Sequence, residues 1–166
     1  MKAKMTVVEV SHLKRREFQA PIVSKLINGF AEHLGEERTK EIISKVIQKD
    51  AIDSGRQLAE ELCGNGMSEL AKVVREIWCD EEAMIIDVIT ENSDEFHFNV
   101  NKCRYAEVYE KLGIPDLGRC LSCDRDFPFN EGFNPEITLE RTQTIMEGAS
   151  HCDFRYFRGP RINSRE

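Results

Sequence analysis

The chain has 166 residues, of which 40% are hydrophobic and 32% charged, and its formal net charge is −7. That length suits one domain with a core large enough to need no disulfide staple. The acidic balance argues against nucleic-acid binding, which needs a basic stripe, but a single arginine can still hold a small anion. No run of roughly 18 apolar residues is present to span a membrane. Residues 1–18 carry Lys14, Arg15 and Arg16 without an apolar stretch behind them, so they do not read as a secretory signal. A cytoplasmic protein is expected, with its 6 cysteines as free thiols.

Residues 1–18 read as a flexible arm. A helix is predicted from about Pro21, with Ile22, Val23, Leu26, Ile27, Phe30 and Leu34 on one inward stripe and Gly35 as its stop. A longer helix follows over 36–62, where Gly55 suggests a close helix crossing, and a third covers 68–78. The period then changes. Residues 83–90 and 95–101 form a hairpin around the polar turn at 91–94. Helical spacing returns at 103–112 and briefly at 117–124. Residues 126–135, with their Pro, Gly and Asn, read as a loop, and a second hairpin joins 136–146 to 151–157.

The order predicts an α+β fold: N-terminal helices packed on an antiparallel sheet made of two hairpins, with short helices between the hairpins. One domain is expected over 19–158, followed by a disordered tail over 159–166. The helical stripes could also support a homodimer.

The last hairpin carries the first chemical signal. In a strand alternate residues share a face, so Arg141 and Gln143 interrupt the apolar face of Ile137, Leu139 and Ile145. A buried arginine needs a partner. A ligand carboxylate is one choice; an internal ion pair, or exposure at a sheet edge, is the other. Thr142 and Thr144 fall on the opposite face and reach a ligand only if a bulge turns them. On the partner strand Cys152 shares a face with Phe154 and Tyr156.

Cys120 and Cys123 form a C-x-x-C that on a helix would put both sulfurs on one face. It reads as half a zinc site, a redox dithiol or two unrelated thiols. Cys103 stands at a predicted helix start between Lys102 and Arg104, which would favour a nucleophilic thiolate, although a half-buried structural cysteine fits as well. Cys103, Cys120, Cys123 and Cys152 come from four elements and could converge on zinc or iron.

Several ordered motifs carry a resemblance: Asn101-Lys-Cys-Arg-Tyr-Ala106, Leu112-Gly-Ile-Pro115, Cys123-Asp-Arg-Asp126, Arg141-Thr-Gln-Thr144, and Gly148 with Cys152-Asp-Phe-Arg155. Over residues 95–157 the chain resembles the L-2-amino-thiazoline-4-carboxylic acid hydrolase family. The resemblance implies ring-opening hydrolysis of a cyclic amidine-like C–N bond, with the named substrate yielding an N-carbamoyl cysteine. It assigns a catalytic thiol or water-activating role among Cys103, Cys123, Asp126 and Cys152. Arg141, Thr142 and Thr144 are the expected substrate contacts. The closing segment is also similar to 4-vinyl-reductase-type small-molecule-binding domains, which makes a non-catalytic ligand- or metal-sensing domain the alternative. A third reading, a protein-interaction adaptor, predicts a large exposed apolar patch and an unremarkable cysteine set.

Overall fold

A computed structural model describes residues 10–159. The first helix, α1 (His12–Leu34), starts well before the expected Pro21. The Ser11 hydroxyl accepts the Lys14 N–H at 3.4 Å, a serine N-cap that starts the helix. Leu13, 1% exposed, anchors this first turn against Ala83 and Tyr105. Residues 12–18 are therefore helix and not arm, while residues 1–9 and 160–166 lie outside the described residues. Pro21 sits inside α1. An interior proline costs about 3 kcal/mol, which is offset here by burial of Ala20 and Ile27 against Tyr109 and Leu121.

That packing splits the expected stripe, keeping its Val23 and Ile27 inward. Ala20, Ser24 and Ile27 point inward, whereas Phe18, Ile22, Leu26, Phe30 and Leu34 are all at least 50% exposed. Helix α2 (Glu36–Glu61) pairs with α1 through Ile43 and Ile47. A short α3 (Met67–Lys72) runs into a π-helical turn over Val73–Trp78.

The sheet has four antiparallel strands: β1 (Met84–Glu91), β2 (Glu95–Cys103), β3 (Ile137–Glu140) and β4 (Cys152–Arg158), in the order β1-β2-β4-β3. Both expected hairpin pairings are present, and β2 joins them by pairing with β4, Phe98 opposite Phe154 and Val100 opposite Cys152. Alternation sends Phe96, Phe98, Val100, Cys152, Phe154 and Tyr156 to one buried face. These side chains form the main core with residues of α2 and α3.

Three helices lie between the hairpins: α4 (Arg104–Lys111), α5 (Pro115–Leu121) and α6 (Asp126–Phe133). The last corrects the loop expected over 126–135. Pro128 falls in the first turn, where its missing N–H costs little, and Phe129 and Phe133 are buried in the core. Backbone contact between α2 and α6 completes the reason. A Cβ on Gly55 would fall on the Phe129 carbonyl, and one on Gly132 would fall on the Ile52 carbonyl. The glycine that read as a loop former is what lets two helices touch. Among the described residues no helix is long and apolar enough to cross a membrane.

Candidate functional site

A cavity of about 1000 Å³ opens between α1, α2, the π-helical turn and one end of the sheet. Its lining includes His12 and Arg16 from α1, Trp78 from the π-helical turn, Tyr109 from α4, and Cys152 and Phe154 from β4. Cys103, Cys123, Arg125, Asp126 and Arg141 complete the chemically active part. Three of the four cysteines singled out in the sequence therefore meet Arg141 and Asp126 around one space.

Arg141 is held by the protein itself. Its Nη1 donates to the Asp126 carboxylate and to the Cys123 carbonyl at 3.2 Å. Its guanidinium lies over the Phe127 and Phe154 rings at 5.3 and 5.4 Å. The side chain is 6% exposed. Between the readings open in the sequence, the internal ion pair is the one formed.

Thr142 and Thr144 do not line the cavity. Strand β3 ends at Glu140, and Asp153 captures the segment beyond it. Its carboxylate accepts from the Thr142 hydroxyl at 2.6 Å and from the Thr142 and Gln143 backbone N–H groups at 2.9 Å. The buried Thr144 hydroxyl donates to Glu147 at 2.7 Å and caps the 3-10 turn over Ile145–Glu147. Both threonines are structural ties, and the substrate-binding role expected of them is not supported by their positions.

Cys120 separates from its companion. Helix α5 ends at Leu121, and Ser122 takes φ −126° and ψ −71°, so the chain leaves helical geometry between the two sulfurs. Cys123 lines the cavity and Cys120 does not. The two sulfurs therefore do not share one helical face. Among the described residues no three His, Cys, Asp or Glu side chains are grouped to hold a metal ion.

Burial decides the state of the thiols. Cys103 is the N-cap residue of α4 without a side-chain capping hydrogen bond, although the nearby Ala106 and Tyr105 N–H groups act to lower its pKa. Burial nevertheless outweighs them and pushes its pKa up to about 11, so the expected low-pKa nucleophile is a neutral thiol at rest. Burial raises Cys123 and Cys152 too, with the Asp126 charge adding to both. Asp126 itself is raised to about 6, because desolvation exceeds the stabilisation from Arg141. The Tyr156 hydroxyl is buried, has no hydrogen-bond partner among the described residues, and senses Asp126 and Arg141.

The opposite wall was not found by sequence reasoning. The Tyr105 hydroxyl donates to the Trp78 carbonyl at 3.2 Å, so His12 Nδ1, 3.0 Å away, must be the donor in their contact. Nε2 is then the unprotonated nitrogen. Burial first, then Arg16, Arg125 and Arg15, lower the His12 pKa to about 4. Lys14, Arg15 and Arg16 were noticed only as charges on a loose segment, because Pro21 placed the helix start too late.

The family model of L-2-amino-thiazoline-4-carboxylic acid hydrolase matches residues 15–156. The chain belongs to this family. No curated protein matches it in sequence. Among solved structures, the phenol-responsive sensory domain of the transcription activator PoxR, determined with phenol, is similar at TM-score 0.52 and 10% identity, covering 83% of this chain and 73% of that one. A trafficking protein particle complex subunit 3 from Naegleria fowleri, covalently bound to palmitic acid, is similar at TM-score 0.49 and 8% identity, over 90% and 99%. The PoxR likeness concerns the fold, one shared by a hydrolase family member and a sensory domain.

Proposed function

We propose that this member of the L-2-amino-thiazoline-4-carboxylic acid hydrolase family hydrolyses a small carboxylate-bearing cyclic amidine of the 2-amino-thiazoline-4-carboxylate type. The observation that carries the reading is the gathering of Asp126, Arg141, Cys103, Cys123 and Cys152 around one cavity, with the Asp126 pKa near 6. A carboxylate with that pKa is ionised at neutral pH and is a better base than an ordinary one. The raised thiols favour a water nucleophile over a resting thiolate.

In the proposed step Asp126 takes one proton from water while the water oxygen bonds to the amidine carbon. Collapse of the adduct breaks a ring bond, and the leaving atom takes up the proton. An N-carbamoyl cysteine keeps both nitrogens on that carbon, so this product requires the ring C–S bond to break. Breaking the ring C–N bond, as first expected, would give the S-carbamoyl isomer. Arg141 holds Asp126 in place and limits its pKa rise.

The test is incubation of the protein with 2-amino-thiazoline-4-carboxylate, followed by mass spectrometry of product and protein. Release of a carbamoyl cysteine with unmodified thiols supports the reading. A stable thiol adduct would replace water attack with covalent catalysis, and no product would leave the sensing-domain alternative, which the shared fold with a sensory domain favours.

A further inference from the structure

The pairing of Arg141 with Asp126 leaves a substrate carboxylate without its expected anchor. Two other guanidiniums line the same cavity. Arg125 is 9% exposed; its Nη2 meets Asp50 Oδ2 at 2.6 Å, but among the described residues its buried Nη1 has no partner. A buried guanidinium nitrogen left unbonded is costly unless a ligand completes it. Arg16 reaches the cavity from α1, and among the described residues its side chain makes no hydrogen bond or ion pair.

We infer that Arg16 and Arg125 form an anion-binding subsite that takes the carboxylate of a small organic acid. Two like charges facing one desolvated space are unfavourable alone and favourable around an anion. Their mutual repulsion is visible: burial and then Arg125 hold Arg16 below the usual guanidinium range. Asp50 offsets only part of this charge, since its side chain is 61% exposed. His12, neutral beside them, adds no competing charge. This subsite rests on the hydrolase reading for its substrate class, but its existence does not.

Calorimetry with thiazolidine-4-carboxylate and with its neutral carboxamide tests the subsite directly, because neither probe has an amidine to hydrolyse. The carboxylate should bind more tightly than the carboxamide. Arg16→Gln should weaken the carboxylate by about tenfold or more and leave the carboxamide unchanged. Arg125→Gln should act in the same direction, and Arg16→Gln keeps the test valid if Arg125→Gln fails to fold. Equal binding of both probes, or a carboxylate affinity unaffected by Arg16→Gln, overturns the subsite. Turnover by a protein lacking this preference would sink the subsite alone; the preference without turnover would sink the hydrolase alone.

Discussion

Arg141 and Asp126 form a buried ion pair at the cavity, the arginine arriving just past β3 and the aspartate opening α6. The pair joins the last hairpin to the helix that precedes it. Removing one partner leaves a buried charge alone, which typically costs about 3–5 kcal/mol. Arg141→Met should therefore lower the urea midpoint strongly. Arg141→Met combined with Asp126→Leu should recover most of that loss, and equal loss in both variants would show that the pair is not the cause.

The raised carboxyl gives a pH signature. Asp126 has a folded pKa of about 6 against an ordinary 3.8, so between those values the folded state binds more protons than the unfolded state. Stability from this group is fully present below about pH 4 and falls as pH rises to about 6. Denaturation curves across that window should show this downward contribution in the native chain. It should be absent in Asp126→Asn; an unchanged pH slope in that variant would assign the titration elsewhere.

Thiol accessibility separates the cysteines. Cys63 is exposed, Cys152 is buried, and Cys103 is raised to about 11. Brief treatment with iodoacetamide at neutral pH should label Cys63 first, and label Cys103 and Cys152 only after unfolding. Peptide mass mapping reads this, and fast labelling of Cys103 would restore it as a resting nucleophile.

The crossing of α2 and α6 should resist any added side chain. Gly55→Ala and Gly132→Ala each drive a methyl into a backbone carbonyl of the other helix. Overpacking of this kind usually costs about 1–3 kcal/mol, so thermal unfolding should shift down for both. Gly29→Ala, with open space around it on α1, should be neutral or stabilising.

The sheet was legible because its strands alternate cleanly: Phe96, Phe98 and Val100 on one strand, Cys152, Phe154 and Tyr156 on the other. Gly55 announced a close crossing, but its partner was hidden, since Pro128, Asn130 and Gly132 carry the composition of a loop while Phe129 and Phe133 supply the burial that makes a helix. Pro21 misled the reading of α1 for the same reason: tertiary packing overrode a local breaker. The α1 stripe was correct in period and in part in direction: Val23 and Ile27 pack inward, but Ile22, Leu26, Phe30 and Leu34 face out, because periodicity identifies a face and cannot say how much of it the core meets.

At the site, the sequence singled out the three cysteines, Asp126 and Arg141. It could not reveal that Arg141 would be claimed by Asp126, or that Arg16 and Arg125, 109 positions apart, would share a cavity. Thr142 and Thr144 needed a bulge to reach a ligand; instead the strand stops early, and Asp153 ties down the segment that carries Thr142.

The most direct test of the proposed chemistry is steady-state hydrolysis of 2-amino-thiazoline-4-carboxylate by the native chain and by Asp126→Asn. A positioned base is worth roughly 10²–10⁴ in rate, so the variant should lose kcat by at least about a hundredfold while still binding thiazolidine-4-carboxylate. A variant that turns over at the native rate would contradict the assignment of Asp126 as the base.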